Sequence, residues 1–327
     1  MRVRFTMLLV TAIALLLFSA AAFPAEYEIN LGHTASISHH YHTSSELFAK
    51  LVAEKTGGKV NIVIFPAGQL GSLPDMTESV RLGTQDIVLT ADPIIGNTIG
   101  EFEALYLPYI FRDYEHVEKF EESNAAKMLE DILRENGMVL LGWWENGFRV
   151  ITNNKRLIKH PDDMVGLKLR IGESKMAIDT FVLLQANPTP IAMSELFAAL
   201  QLGTVDGQEN PTGRILSARY YEVQKFLSVT RHQHVFEPLV MNLEKFETLP
   251  AEFRKALLDA GKEVAKIDRK AVADTEADEL AQLEQKGMSI NQVDVSAFQK
   301  ALSPMYEQYM KERGEKWSEI VKMIQEL

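Results

Sequence analysis

Short apolar runs alternate with helical patterns along the first third of the chain, and this alternation narrows the choice of fold more than any other pattern in the sequence. Glu28–Leu31, Val60–Phe65 and Asp86–Leu89 have the composition of strands. A helical stripe within Ser45–Val52 separates the first two, and Pro74–Leu82 separates the last two. Strands that alternate with helices in this order form parallel sheets with helices packed on them. The sequence therefore predicts an α/β fold.

A second series of the same kind follows a helix that ends near Gly137. Its predicted strands and helices are, in chain order, Met138–Leu141, Phe148–Ile151, Leu167–Ile171, Met176–Leu184 and Ser194–Leu202. Ser194 is expected to cap the last of these helices and Gly203 to end it. Two series of strands and helices predict two lobes.

A long uninterrupted helical pattern runs from Pro250 to Gly287. At about 1.5 Å per residue such a helix exceeds roughly 50 Å, which is longer than one lobe, so it is expected to run across both. The apolar positions predicted to share its buried face are Phe253, Leu257, Leu258, Val264 and Ile267.

The first 25 residues are predicted to be a signal peptide. Arg2 and Arg4 precede an apolar run from Phe5 to Phe18, and small residues follow it. Cleavage is expected after Ala22 or Ala25. The chain has no cysteine, so no lipid anchor, disulfide or thiolate site is expected, and the mature protein should be free in an exported compartment such as the periplasm.

Charge restricts the partners. The formal net charge is −11, and it becomes about −13 once Arg2 and Arg4 are removed with the leader. An acidic protein repels nucleic acid, so no nucleic-acid partner is expected. A negatively charged ligand would need local positive groups, which makes individual arginines the residues of interest.

Arg170 is the first such residue. In Leu167–Ile171 the leucines and the isoleucine share one face, and Arg170 points to the other, at the carboxyl end of a strand where α/β proteins bind ligands. A guanidinium there can hold a carboxylate with two parallel hydrogen bonds. Taken alone, an arginine in an alternating strand is more often simply solvated.

Two polar segments are interpreted as turns. Asp206–Pro211 is rich in side-chain donors and acceptors, and Asn146–Arg149 combines a flexible turn with a second arginine that enters a strand. Neither is specific by composition.

Read in order, these segments resemble the solute-binding subunits of TRAP transporters, the DctP family. The resemblance covers essentially the whole mature chain, and its last two segments are specific to that family. It is carried by Gln69–Gly71, Gly147–Arg149, Gly166–Arg170, Pro188–Pro190, Ser194–Gln201 and Val205–Pro211.

The resemblance implies a two-lobe periplasmic binding protein fold of the α/β class, with a cleft between the lobes and a long helix spanning both. The expected domains are a signal peptide (1–25), lobe I (26–146 plus 236–275) and lobe II (147–235 plus 276–327). In such receptors an arginine at the position of Arg170 pairs with the ligand carboxylate. Asn210 matches an asparagine that helps hold it, Arg149 matches a second cleft arginine, and Glu209 is expected to orient an arginine.

Other ligand contacts are assigned by position. Thr34, Leu73, Asp75, Thr90, Ala91 and Asp92 follow predicted strands or turns of the first lobe and are expected to face the ligand, with Met193 opposite. Met193 stands where sialic-acid receptors often have an aromatic residue, and Leu73 and Ala91 replace acidic residues, which argues against sialic acid. Trp143, Trp144 and Glu145 could serve a hydroxylated acid, although core packing explains the tryptophans equally well.

The implied function is that of an extracytoplasmic receptor, not an enzyme, which delivers a small organic acid to the small and large TRAP membrane subunits. The acid is a sugar acid, a hydroxy or keto acid, or a C4-dicarboxylate; no cofactor is expected, and a monomer is the default. The alternatives are a periplasmic enzyme acting on an acidic sugar and a ligand sensor. His39, His40 and His42 invite a metal interpretation, but their spacing lacks a metal signature.

Overall fold

The computed structural model describes residues 25–327, so the predicted signal peptide lies outside the described residues except for Ala25. The described chain forms two sheets. Their strands are β1 Tyr27–Gly32, β2 Val60–Phe65, β3 Ile87–Leu89, β4 Met138–Phe148, β5 Val150–Asn153, β6 Lys168–Ile171, β7 Asn187–Pro190, β8 Gly207–Asn210, β9 Phe226–Val229, β10 His234–Asn242 and β11 Ser289–Gln292.

Helices cover these sheets. The α-helices are α1 His40–Thr56, α2 Leu73–Arg81, α3 Asp92–Gly96, α4 Tyr114–Glu121, α5 Asn124–Glu135, α6 Lys175–Leu183, α7 Leu196–Gln201, α8 Thr212–Ser217, α9 Leu243–Thr248, α10 Ala251–Gln285, α11 Val295–Leu302, α12 Pro304–Arg313 and α13 Glu315–Gln325. Short 3-10 helices span Gly100–Tyr106, Pro161–Met164, Met193–Glu195 and Tyr220–Glu222. The predicted α/β class is confirmed.

Each sheet mixes parallel and antiparallel strands. The first has the order β2-β1-β3-β10-β4 and the second the order β11-β9-β5-β8-β6-β7. In the first sheet β1 pairs in parallel with β2 and β3, as predicted, and β10 joins antiparallel between β3 and β4. The chain passes from the first sheet to the second between β4 and β5, and returns between β9 and β10. The cleft between the sheets is therefore bordered by both crossings.

Local signals set the helix boundaries close to where the sequence predicts them. Ser72 caps α2 by accepting a hydrogen bond from the Asp75 backbone N–H, and the Asp75 carboxylate accepts one from the Ser72 backbone N–H. Helix α1 ends at Gly57, whose φ of 61° lies in the left-handed region that glycine tolerates.

Helix α10 spans both sheets, as predicted. Phe253, Leu257 and Val264 pack into the core beneath the first sheet, whereas Leu283 packs into the core of the second. One member of the predicted apolar face is wrong: Ile267 is 49% exposed, because it points away from β4, which the neighbouring Asp268 and Arg269 contact through the Glu145 and Trp143 backbones. No helix within residues 25–327 has the length and apolarity that crossing a membrane requires.

Three local predictions are wrong. Within the turn predicted at Asn146–Arg149, residues 146–148 are instead the end of one continuous strand, β4, because β10 pairs with β4 along its whole length, and Arg149 joins β4 to β5. Gly147, with φ of 110°, accommodates a bulge there instead of a turn.

The turn predicted at Asp206–Pro211 contains an inner strand, β8, paired with β5 and β6, so its polar side chains lie inside the protein. Ser194 does not cap α7, because it lies within the preceding 3-10 helix, which continues directly into α7.

The predicted domain boundaries stay a prediction. Strands β1 to β4 with β10, and β5 to β9 with β11, form the two sheets in the order that those boundaries imply. The end of the chain packs differently, since α13 contacts α5 and the 3-10 helix Gly100–Tyr106, which belong to the predicted first lobe.

Helix α10 approaches β4 closely at Gly261. A Cβ at this position would overlap the Leu141 carbonyl, and the Gly261 carbonyl accepts a hydrogen bond of 3.1 Å from the Trp144 indole. The absence of a side chain thus lets the long helix rest directly on the crossing strand.

We expect Gly261→Ala to lower the free energy of unfolding by about 1–3 kcal/mol, since overpacking outweighs the roughly 1 kcal/mol that alanine gains in an open helix. Urea unfolding followed by circular dichroism measures this. Ala271→Gly, at an exposed position of α10, is the control and should cost about 1 kcal/mol through helix propensity alone. Stabilisation by Gly261→Ala would contradict the close contact.

Candidate functional site

A cavity of about 370 Å³ lies between the two sheets. This volume falls in the range of small-molecule sites, roughly 300–1,000 Å³. Its first wall comes from the segments after β1, β2 and β3, its second wall from β6, β8 and the 3-10 helix Met193–Glu195, and its floor from the crossing strands. The polar residues that line it are Thr34, Ser72, Tyr106, Asn146, Arg149, Arg170, Glu173, Ser174, Ser194, Asn210, Arg214 and Glu237.

Arg170 brings an unpaired positive charge to this cavity. Its side chain is 2% exposed, its Nε donates a hydrogen bond of 2.8 Å to the Ile191 carbonyl, and its buried Nη1 has no hydrogen-bond partner within the described chain. Burial lowers the pKa of Arg170, although a guanidinium remains charged in proteins. A buried cation without a counterion is costly, so this group favours an anion from outside the chain.

Arg149 differs from Arg170 because it is already paired. Its guanidinium forms an ion pair with Glu209, with Nη2 donating to Glu209 Oε1 at 2.9 Å and to the Glu209 carbonyl at 2.8 Å. His232 Nε2 lies 3.5 Å from the same carboxylate. Burial opposes ionisation of Glu209, but Arg149 and His232 hold its pKa at about 2. The Arg149–Glu209 pair therefore has little net charge, and Glu209 fixes the direction in which the Arg149 guanidinium can donate hydrogen bonds.

Asn210 lies between the two arginines' strands. Its Nδ2 donates to Gln208 Oε1 at 2.5 Å, and its Oδ1 is 3.4 Å from Arg149 Nη2. It is buried and lines the cavity at the end of β8. Its amide is thus fixed by neighbours on the same and the adjacent strand.

The structure brings together seven of the eleven residues predicted to bind ligand: Arg170, Asn210, Arg149, Met193, Thr34, Leu73 and Ala91 line the cavity. The other four do not line it. Glu209 lies behind Arg149, and Asp75 is used in the cap of α2. Thr90 is buried against Thr77, with their hydroxyl oxygens 2.7 Å apart. Asp92 is buried in the first turn of α3, where burial raises its pKa well above the usual range.

The sequence reasoning missed three charged residues of the cavity, of which Glu173 is exposed and the other two are buried. Glu237 lies on β10 and accepts a hydrogen bond of 2.8 Å from the Tyr41 hydroxyl. Arg214 lies on α8 with its guanidinium 5.0 Å from the centre of the Tyr41 ring. Arg214 follows Asn210 by four residues, and Glu237 is the one acid in the apolar run of β10. A charged residue next to a predicted site, or alone in an apolar strand, could have identified both positions as ligand-binding candidates.

Trp143, Trp144 and Glu145, which the sequence offered as contacts for a hydroxylated acid, do not line the cavity. Trp143 stacks on Phe102 at 6.0 Å in the core, and Trp144 is buried against α10. Glu145 is fully buried, 2.5 Å from His234 Nε2. For the tryptophans, core packing is the correct interpretation.

The histidines after β1 have structural partners. His39 caps α1, His40 Nδ1 lies 2.9 Å from Asp268, and His42 Nδ1 lies 3.2 Å from His33 Nε2. Within residues 25–327 no three histidine, cysteine or acidic side chains are grouped so as to hold a metal ion.

The chain is similar to known bacterial solute-binding proteins. Residues 31–313 match the DctP family, bacterial extracellular solute-binding protein, family 7. The 2,3-diketo-L-gulonate-binding periplasmic protein YiaO of Escherichia coli is 32% identical over 286 residues, 87% of each chain.

Two solved structures are also similar. A TRAP periplasmic solute-binding protein from Polaromonas sp. JS666, bound to D-erythronate, is 37% identical with a TM-score of 0.87, over 91% of this chain and 98% of that one. A second, from Sulfurospirillum deleyianum with bound succinate, is 30% identical with a TM-score of 0.86, over 92% of this chain and 99% of that one. Each similarity spans most of both proteins.

Glu237 gives the site a measurable pH dependence. Burial raises its pKa from 4.5 to about 7, so between these values the folded state holds a proton that the unfolded state has lost. Stability of the wild type therefore falls as pH rises through this window. We expect the stability of Glu237→Gln relative to wild type to rise by on the order of 2–3 kcal/mol from pH 4.5 to pH 8. Urea unfolding at both pH values measures it, and an unchanged difference would contradict the assignment.

Proposed function

The chain belongs to the DctP family of bacterial extracellular solute-binding proteins and is a solute receptor of a TRAP transporter, and we propose that it captures a small organic acid by docking the ligand carboxylate on Arg170. The acid comes from the group of sugar acids, hydroxy or keto acids and C4-dicarboxylates. Relatives that carry diketogulonate, erythronate and succinate support this group.

The observation that carries the proposal is the unpaired, buried guanidinium of Arg170 at a cavity of ligand size. The Ile191 carbonyl fixes the guanidinium through Nε, which leaves Nη1 and Nη2 as parallel donors. A carboxylate is the anion that matches two parallel donors. Its binding would remove the cost of an uncompensated charge.

Arg149 and Asn210 complete the hydrogen bonds to the carboxylate in this proposal. Glu209 neutralises Arg149 and fixes its orientation, so Arg149 contributes geometry more than charge. Met193 packs on the ligand from the second wall.

The first wall closes over the rest of the ligand. Thr34, Leu73 and Ala91 supply contacts from segments that follow the strands of the first sheet. Ligand binding shifts an equilibrium between open and closed arrangements of lobe I (26–146 plus 236–275) and lobe II (147–235 plus 276–327). The crossings between the sheets act as the hinge.

The closed receptor is then recognised by the small and large membrane subunits of the transporter. The protein works in the periplasm, to which the leader 1–25 directs it, as a monomer that binds its ligand without catalysis. Ligand-bound relatives described as binding proteins support the absence of turnover.

Substitution of the anchor tests the proposal. Loss of one partner from a buried ion pair costs roughly 3–5 kcal/mol, so Arg170→Ala should weaken binding by about two to three and a half decades. Calorimetry measures this with the acid that gives the largest thermal shift among D-erythronate, D-gluconate and succinate.

Lys168→Ala is the matched control, since it removes an exposed cation from the same strand and should leave the affinity within about threefold. Arg170→Lys keeps the charge but loses the two-pronged geometry, and should recover only part of the affinity. An Arg170→Ala variant within threefold of wild type would refute the anchor.

A further inference from the structure

We propose that Arg214 and Glu237 form a second subsite that selects a monoanionic polyhydroxy acid over a dicarboxylate. This inference rests on the proposed function, because it concerns the part of the ligand that does not contact Arg170. It assigns roles to two residues that neither the sequence pattern nor the family resemblance singled out.

Glu237 presents an acceptor to the cavity. It is 2% exposed and lines the cavity from β10, between the two walls. The Tyr41 hydroxyl donates to its Oε2, whereas its Oε1 accepts no side-chain hydrogen bond from the described residues. One oxygen is thus fixed by the protein, and the other remains available to a ligand hydroxyl.

Arg214 presents donors beside that acceptor. It is 6% exposed, lines the same cavity, and makes no side-chain hydrogen bond or ion pair with any residue of 25–327. The Tyr41 ring under its guanidinium and the Tyr41 hydroxyl on Glu237 place both groups around one tyrosine. The cavity therefore has a donor and an acceptor around one tyrosine, in addition to the guanidinium of Arg170.

A hydroxyl group suits such a pair better than a carboxylate does. A hydroxyl donates one hydrogen bond and accepts others, so neighbouring hydroxyls can bond to a carboxylate and a guanidinium at once. An ionised carboxylate only accepts, so it satisfies Arg214 but is repelled by Glu237. The pair thus favours a diol or polyol over a second carboxylate.

The net charge of the cavity also favours a ligand with a single negative charge. Its lining contains Arg149, Arg170, Arg214 and Glu237, and Glu209 is paired with Arg149, so these five groups together carry one positive charge when both acids are ionised. Glu173 at the rim is exposed, so water screens it. A single negative charge on the ligand balances this total.

Protonation of Glu237 would change that balance. The groups that face Glu237 are Tyr41 from α1, Arg214 from α8, Arg149 beyond β4, Asp268 from α10 and Asp92 from α3. Burial among them raises the pKa of Glu237 to about 7. Below that pH the cavity gains a positive charge, so the penalty on a diacid should shrink.

Matched acids test the proposal. D-gluconate and D-glucarate share a carbon chain and hydroxyls and differ at one end, where glucarate has a second carboxylate; D-erythronate and meso-tartrate form a shorter pair. Calorimetry on the wild type at pH 8 should show the monoacid of a pair binding about tenfold or more tighter than its diacid, with the gap narrowing at pH 6.5.

Glu237→Gln keeps the shape of the side chain and removes its charge, so it should reduce the monoacid preference to about threefold or less and abolish its pH dependence. Glu284→Gln, at an exposed position of α10, removes the same charge far from the cavity and should change neither. The urea unfolding measured for Glu237→Gln shows whether the variant folds.

Three results would overturn the subsite: a diacid that binds the wild type as tightly as its monoacid, a preference that Glu237→Gln leaves unchanged, or a wild type that binds succinate but neither monoacid. In each of these cases the loss of affinity in Arg170→Ala would still support the carboxylate anchor. Absence of binding to every organic acid would instead refute the proposed function itself.

Discussion

The burial of one guanidinium without a protein counterion is the constraint from which the account of this site follows. Arg170 is fixed by a backbone carbonyl and surrounded by protein, yet no described side chain neutralises it. Proteins rarely keep such a charge unless something else compensates for it. The cavity beside it, bordered by elements of both sheets, is where a compensating anion fits.

The other charged groups around the cavity balance one another and leave the Arg170 guanidinium without a protein counterion. Glu209 neutralises Arg149, and His232 supports the same carboxylate from behind. The charges of Glu237 and Arg214 balance each other: both groups contact Tyr41, but they form no ion pair within 4 Å. Burial raises the pKa of Asp92 well above its usual range, which disfavours a negative charge there. The long helix α10 and the crossing strands hold these groups in place while leaving the two sheets joined by few segments.

Much of this could be predicted from the sequence, because local patterns decide it. The strands of the first sheet, the capped helix α2 and the long helix α10 follow from periodicity and end signals. Arg170 stood out because its neighbours alternate along a strand. The features that the sequence did not predict depend on long-range pairing. Pairing with β10 keeps β4 in strand conformation past Gly147, although the local sequence there indicates a turn. Tyr41 and Glu237 form their hydrogen bond although 196 residues separate them in the sequence. Neither partner is visible from the residues around the other.

The most direct measurement of the central claim is a crystal structure of the protein with an organic acid bound at near-neutral pH. The account predicts two carboxylate oxygens at about 2.7–2.9 Å from the guanidinium nitrogens of Arg170, the spacing of charge-assisted hydrogen bonds, with the sheets closed over the ligand. A ligand whose carboxylate lies elsewhere in the cavity, with Arg170 facing only water, would contradict it.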